Sequence, residues 1–454
     1  MSALQREIVR LALQPSAERI QALQRIIPRA AVQAALRASG QHDRRCPRLP
    51  KWFMVWFVIA LALFCTDRYA QVYKWLQRWR RRGTPGRSTL CEARQRLGVS
   101  PLRLLADRVV QLQATPEMAG AFYHGLRLMA LDSFVVDVAD SAANDRVFGR
   151  PGSHRSRAAF PQVRVLALCE VGTHILWKDR SKPQRRSEVV MATSLLRFLE
   201  PDMLLLWDRS FLSYAHVQQV RARRAHLLAR LKKNLIFTPL RRLHDGSFLA
   251  KLYPSAAHRQ RDQAGLVVRI LEYTFDDPGR PGSGQKHRLL TTLLDAHRHP
   301  AKQLITLYHQ RWEEELTIDE FKTHLRQRPV LRSETPAGVV QEIYGLLLGH
   351  YVVRKLMCEA ATTTGLAPRR LSFTGTLKIL RCRLPEVPKH GRGLGRWFAD
   401  LIAEIAEEVL EPRRDRVNPR VIKRKMSNGK KKRPEHRAYP QPTKTFRESL
   451  VIQC

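Results

Sequence analysis

Negative charge is scarce in this chain. Its 454 residues carry 80 Lys and Arg against 40 Asp and Glu, a formal net charge of +40 with a pI near 11.0. That balance excludes an acidic or collagen-like protein and points to a polyanionic partner, nucleic acid first and an anionic membrane second. Cysteine pairs are missing too: Cys46, Cys65, Cys91, Cys169, Cys358, Cys382 and Cys454 are odd in number and scattered, with no CxxC and no zinc spacing. A disulfide scaffold and a zinc module are thereby excluded, and reduced intracellular thiols are expected. No apolar run is long enough for a membrane, since Trp52 to Cys65 spans about 14 residues where a crossing needs roughly 20. The run predicts a buried helix. The opening MSALQREIVRLALQPS lacks an apolar core, so no secretory signal and a cytoplasmic location are expected. Internal repeats are absent as well. What remains is ordinary for a folded chain, 44% hydrophobic residues with 7% aromatics, so the cations belong to a globular protein and not merely to a tail.

Residues 1–115 read as helices, with Ile8, Leu11, Ile20, Leu23 and Ile26 at helical spacing, and form an expected N-terminal DNA-binding domain. Within it, VYKWLQRWRRR leads through Gly83-Thr84-Pro85-Gly86 to Thr89-x-x-Glu92, a capping-box pattern opening a helix that stops near Gly98. Helix, turn and basic helix suit a groove-reading unit with Arg94 and Arg96 facing DNA, and equally suit a surface helix with solvated arginines. Strands take over at about 126: LRLMALDSF, FVVDVAD, and a hairpin VRVLALCEV-GT-HILWK turning at Gly172-Thr173. A helix near Glu188 to Phe198, the strand MLLLW, a helix near Tyr214 to Arg224 and the strand LLARL follow. The order predicts a mixed α/β fold, with a first core part over 120–234, a strand-rich insertion over 235–300, a last core part over 301–360 and a helical region over 361–410. The tail 411–454, with Arg413, Arg414, Arg416, Arg420, Lys423, Arg424, Lys425, Lys430, Lys431, Lys432 and Arg433, is too polar to pack and is expected to be mostly disordered until bound, where it adds non-specific contacts.

The chemistry concentrates in YHQRWEEELTIDEFK. At 100° per residue, with Tyr308 as zero, Arg311 falls at about −60°, Glu315 at about −20° and Lys322 at about −40°. One stripe thus carries a phenol, a guanidinium, a carboxylate and an ammonium, while Glu313, Glu314 and Glu320 point elsewhere. Asp319, at about +20° on the same wheel, rivals Glu315, and a salt-bridged surface helix would give part of the same pattern. Two more aspartates stand where apolar strands end, Asp132 in LRLMALDSF and Asp208 in MLLLWDRSF; a lone Asp there is also a common turn or cap residue. Asp137 and Asp140 are nearer to that second reading, and Asp145 reads as loop. Three carboxylates brought together would repel one another unless a hard divalent cation, Mg²⁺ by preference, accepted their oxygens. Such a site on a cationic chain implies a metal-dependent enzyme of nucleic-acid phosphodiesters.

These residues resemble the DDE transposases of the insertion sequence 4 family. Tyr308-x2-Arg311-x3-Glu315-x6-Lys322 matches that family's Y-R-E-K signature, and MALDSF and LLLWDRSF supply its two aspartates. RLPKWFMVWFVIALALF, STLCEARQRLG, DSAANDRVFGRPG and RVNPRVIKRK extend the similarity along nearly the whole chain. The resemblance implies a ribonuclease-H-like core, Asp132, Asp208 and Glu315 as catalytic, metal-binding residues, and Tyr308, Arg311 and Lys322 as contacts to transposon-end phosphates. It implies Mg²⁺ with Mn²⁺ tolerated, inverted-repeat and target DNA as partners, a homodimer bridging two ends, and a nucleoid-associated bacterial enzyme rather than a membrane protein. Arg288 takes the place of a tryptophan that, in relatives, stacks on a flipped base; an arginine can stack too. The alternative is a relative that binds DNA but no longer cuts.

Overall fold

The computed structural model describes residues 19–41, 43, 49–76, 83–152, 157–232, 235–280, 282–388, 393–411, 421–422, 430–431 and 442–453. In chain order these form helices α1 (Arg29–Ala38), α2 (Lys51–Leu63), α3 (Tyr69–Leu76), α4 (Arg87–Leu97) and α5 (Ser100–Val109), then β1 (Leu126–Val138), α6 (Ala142–Phe148), β2 (Gln162–Glu170) and β3 (Ile175–Pro183). There follow α7 (Glu188–Leu196), β4 (Met203–Trp207), α8 (Tyr214–Ala222), β5 (His226–Arg230), β6 (Phe248–Leu252), β7 (Leu266–Phe275) and β8 (His287–Thr291). The chain continues through α9 (Ala301–His309), α10 (Trp312–Asp319), α11 (Pro336–Thr364), α12 (Phe373–Arg383), α13 (Leu394–Glu407) and β9 (Leu450–Ile452). The fold is mixed α/β, as expected. It divides into two compact units, one of Met1–Phe122, Asp132–Met191 and Glu313–Leu410, the other of Tyr123–Leu131, Ala192–Trp312 and Glu411–Cys454.

The first unit is built on α11. Thr335 caps its start, accepting the Gly338 N–H at 3.2 Å, Pro336 occupies its first turn, and Gly365 at φ 68° ends it. Against it lies α2, in which every residue from Phe53 to Leu63 is buried, as a helix apolar on all sides must be. This is the buried helix read from the Trp52 run, and no helix among the described residues is long and apolar enough to cross a membrane. The two helices meet closely: a Cβ on Gly345 would lie 2.7 Å from the Val58 carbonyl oxygen. Past the end of α2, arginines take the carbonyls that the helix cannot satisfy itself. Arg381 donates to Leu63, Arg332 to Cys65 and Asp67, and Arg328 to Thr66. β2 and β3 form the expected antiparallel hairpin, pairing Val163 with Pro183 through Glu170 with Ile175.

The second unit is a sheet. Residues 127–131 of β1 pair in parallel with Met203–Trp207, and β4 pairs in parallel with β5. Met203–Trp207 is fully buried, the pattern of a central strand covered on both faces. Residues 235–300, read as an insertion, continue this sheet: β8 pairs antiparallel with β5, β7 with β8, and β6 with β7. Asp245 accepts the Ala301 N–H at 2.7 Å at the start of α9.

Several expectations are corrected. LRLMALDSF and FVVDVAD are one strand, β1. The capping box does not form, because α4 begins at Arg87 with Gly86 before it, leaving Thr89 inside the helix and Glu92 paired with Arg96 at 3.7 Å. Asp145 lies in α6. The tail is not without structure, since 442–453 packs: β9 pairs antiparallel with β7, Phe446 lies on Phe275 and His309, and Asp277 accepts the Thr443 and Lys444 N–H groups at 3.3 Å. A few apolar residues suffice there because β7 offers an open edge. The N-terminal Ile8 and Leu11, Arg78 to Arg82 of the basic stretch, and Arg413, Arg414, Arg416, Arg420, Lys423, Arg424, Lys425, Lys432 and Arg433 lie outside the described residues.

Arg94 is the largest departure. Placed on α4 as a cation facing DNA, it is 4% exposed. Its guanidinium donates to Gln341 Oε1 at 2.9 Å and Ser333 Oγ at 2.6 Å, and also to Tyr69 and the Gly338 carbonyl. Glu342 stands 3.7 Å away. The side chain is spent inside the unit. Arg94→Ala is expected to cost about 3–5 kcal/mol by stranding these buried partners, and Arg96→Ala, on the exposed face, to stay within about 0.5 kcal/mol of the parent. Urea denaturation checks both, and equal midpoints would refute the buried placement.

Candidate active site

β1 and β4 run in parallel with Leu131 opposite Trp207, and the next residue along each is an aspartate, Asp132 and Asp208. Asp208 does end its strand. The chain turns there, the Phe211 N–H reaching the Asp208 carbonyl at 3.3 Å and the Ser210 hydroxyl reaching Asp208 Oδ2 at 3.4 Å. Asp132, read as a terminus, is instead mid-strand; what changes there is burial, from continuous over Leu128–Leu131 to alternating beyond.

In the second unit, Tyr308 fixes the approach to Asp208. Its hydroxyl donates to the Trp207 carbonyl at 3.0 Å, the peptide just before the aspartate. Burial pushes the phenol's pKa up; Arg311 opposes this and Asp208 adds to it. Arg288 of β8 donates to the Leu235 and Lys232 carbonyls at 2.8 and 3.0 Å, clipping that segment to the sheet.

In the first unit, the Ser133 N–H donates to Asp132 Oδ1 at 2.7 Å, and the Ser133 hydroxyl links to Glu188 at 2.8 Å and to Arg164 at 3.0 Å. Phe134, two residues on, packs against Phe321 with ring centroids 5.0 Å apart. The segment after α10 is thus tied to the strand of Asp132. Glu315 is half-buried in the middle of α10. Burial lowers the Lys322 ammonium below its ordinary value, Arg326 adds to this, and Asp137, Asp319 and Asp132 act the other way, which puts Lys322 in the field of Asp132. Asp319, the rival to Glu315, is exposed and held locally by the Thr323 hydroxyl at 2.7 Å and by His324 at 3.3 Å. Asp137 accepts from Gln162 at 2.8 Å, and Asp140 and Asp145 both pair with Arg150.

The single stripe from Tyr308 to Lys322 needs correction. α9 tightens and stops, with Gln310 and Arg311 bonding back three residues, and α10 gives way to a π-helix over Glu320–Leu325. One 100° step does not carry through both irregularities. Tyr308 and Arg311 belong to the second unit, Glu315 and Lys322 to the first.

One cluster escaped the sequence reading. Glu320, taken to point away, is buried with Arg354, His174 and His350, and His174 also meets Glu313. A histidine and an arginine, His350 and Arg354, inside the largely apolar run of α11 were its visible sign. Among the described residues no group of three His, Cys, Asp or Glu side chains is drawn together as for a metal ion. Asp132, Asp208 and Glu315 are nonetheless hard oxygen donors, the set that suits Mg²⁺.

Asp132, Asp208 and Glu315 follow one another along the chain in the order of a transposase's two aspartates and glutamate, and comparison with known proteins gives the class. Residues 123–351 match the transposase DDE domain and residues 17–107 the N-terminal domain of insertion element 4 transposases. The chain belongs to the insertion sequence 4 family of DDE transposases. It is 30% identical over 408 residues to the transposase InsG for insertion sequence element IS4 of Escherichia coli K12, covering 86% of this chain and 89% of that protein. It is 28% identical over 188 residues to the putative transposase InsZ of the same organism, covering 41% of this chain and 62% of that one. Among solved structures, a piggyBac transposase synaptic complex with hairpin DNA aligns over 85% of each chain at 10% identity and a TM-score of 0.41, too loose a likeness to argue from.

Lys322→Ala is expected to weaken binding to the element's end DNA and to reduce the slope of log K against log salt by about one. An unchanged slope in a salt titration would place Lys322 off the DNA.

Proposed function

We propose that this transposase binds the inverted-repeat ends of its insertion sequence, cleaves there, and joins the freed 3′ ends to target DNA by Mg²⁺-dependent phosphoryl transfer. The observation that carries the reading is the register of β1 and β4, which sets Leu131 opposite Trp207 directly ahead of Asp132 and Asp208. Asp132, Asp208 and Glu315 would hold the metal. When bound, it supplies activation of the attacking water or 3′-hydroxyl and stabilisation of the leaving oxygen. The chain's own residues orient the substrate: Arg311 and Lys322 take the phosphates beside the scissile bond, and Tyr308 keeps the Asp208 turn in place while adding its oxygen to the phosphate contacts. Arg96 and the N-terminal helices serve end recognition. Arg288, whose guanidinium also bonds the Lys232 and Leu235 carbonyls, contacts DNA where relatives place a stacking tryptophan. The parallel run β1, β4, β5 and the hairpin β2–β3 support a ribonuclease-H-like core, and two protomers bridging two ends complete the reading for a cytoplasmic, nucleoid-associated enzyme that also accepts Mn²⁺.

The test is end-labelled DNA carrying the element's own ends, incubated with the parent chain and with Asp132→Ala, Asp208→Ala or Glu315→Ala. Mg²⁺-dependent nicks at the boundary are expected from the parent and from none of the variants, with end binding kept within about twofold, a shift of only about 0.4 kcal/mol. A parent that binds the ends yet leaves them uncut with Mg²⁺ and Mn²⁺ would be a DNA-binding relic. Cleavage kept in Glu315→Ala and lost in Asp319→Ala would move the third ligand.

A further inference from the structure

We infer that His174 is a positioning residue for Glu315, acting as a strut that fixes the helix carrying it; this rests on the assignment of Glu315 made above. The imidazole bridges the two ends of one segment. Its Nε2 lies 3.0 Å from Glu313 Oε2, and its Nδ1 accepts from the Arg354 guanidinium at 2.6 Å, which itself donates to Glu320 Oε1, 3.1 Å from the same Nδ1. Glu313 and Glu320 are seven residues apart, about two helical turns, so they share a face roughly 10 Å long. Glu315 lies about 200° round the helix from Glu313, on the opposite side. The ring therefore grips the back of the element whose front carries the carboxylate, directly at Glu313 and through the shared Arg354 guanidinium at Glu320, fixing its rotation and its height together.

A strut works only if its other end is rigid. His174 closes the turn between β2 and β3 at φ 59°, its N–H bonded to the Glu170 carbonyl at 2.8 Å. Glu170 is fully buried and accepts the Gln113 and Ala114 N–H groups at 2.9 and 3.0 Å. Gly172 seats against Ala121 so tightly that a Cβ would come within 2.4 Å of the alanine's own. The far oxygen of Glu320 is held by Arg354 Nε at 2.8 Å and His350 at 3.3 Å. Apolar packing alone would cover this face, but it would not index the helix; two directional bonds to one ring do. Second-layer groups of this kind orient ligands without touching the metal.

The experiment uses the full chain, the element's end DNA and Mn²⁺ as probe, with His174→Asn, whose residue type accepts the positive φ, and Glu313→Ala, which cuts one bond and leaves Glu320 with Arg354. End binding should be unchanged in both. The Mn²⁺ concentration for half-maximal cleavage should rise roughly 10- to 100-fold, and Mn²⁺ binding to the protein–DNA complex, read by electron paramagnetic resonance, should weaken by the same factor. The double variant should be no worse than the more affected single one, since both remove the same interaction. Should His174→Asn fail to fold by thermal melting, Glu313→Ala carries the test alone. Wild-type Mn²⁺ dependence in the folded variants would overturn the proposal, as would activity lost with no change in Mn²⁺ binding, the mark of a packing role. A parent that cuts, a Glu315→Gln variant that does not, and clamp variants that behave as the parent would refute the strut alone; a Glu315→Gln variant that still cuts would refute the assignment beneath it.

Discussion

A buried ion pair governs the first unit. α11 runs through the core with mostly apolar buried side chains, yet Arg354, in its interior, is 1% exposed. A guanidinium there costs several kcal/mol unless a carboxylate and further acceptors meet it. Glu320 is that carboxylate. Burial opposes its charge, but Arg354 and then His174 outweigh burial and hold the group well below the usual carboxylate range. Its folded value being depressed, the stabilisation it gives is present above the pH where an unfolded glutamate ionises and fades as acid takes the medium down through the folded value. Burial in turn pushes His350 down. From Glu320 onward the helix widens into its π turn, closed by the Arg326 N–H on the Phe321 carbonyl at 3.2 Å. The same turn sets Phe321 on Phe134 and leaves Lys322 facing the aspartates of β1. The chain following Glu315 is therefore specified by an interaction far more interior than the site itself.

Much of this could be read along the chain. Apolar runs bounded by turn residues gave β4 to the residue, the hairpin at Gly172, and a buried α2, because each is decided by its own composition. What could not be read depends on what lies opposite. β1 looked like two strands because its burial changes at Asp132 where it passes from one unit to the other, not because the backbone ends. α9 and α10 looked like one helix because the break at Gln310 and Arg311 contains no Pro or Gly to announce it. The carriers of the family signature were legible as a set; their distribution over two units, and the partners that fix each one, were not.

Charge needs the same distinction. A net +40 suggests a surface built for phosphate. A good share of the arginines, however, work within the fold. Arg94 and Arg354 neutralise buried acceptors. Arg269, fully buried, spans the Ser247 hydroxyl at 2.7 Å and the His299 carbonyl at 2.7 Å while pairing with Asp245. Arg328, Arg332 and Arg381 close the carbonyl end of α2. Arginine suits these posts because its planar fork serves several oxygens at once and its charge is less strongly hydrated than an ammonium.

It follows that the cation count of the chain overstates its electrostatic contact with DNA. Counterion release measures only those charges that come within reach of phosphate, and a guanidinium already bonded to backbone carbonyls in the interior releases none. On the proposed reading, specific contact is left to side chains such as Lys322, half-buried in the field of Asp137 and Asp132, where a cation balances the carboxylates as well as meeting a phosphate. In such a place the two signs act on each other: burial disfavours the lysine's charge and the carboxylates favour it, while a lysine there would lower the repulsion that a polyanion feels on approaching an acidic site. On that reading the cationic surface would draw the substrate to the protein, and this local balance would let it approach an acidic centre.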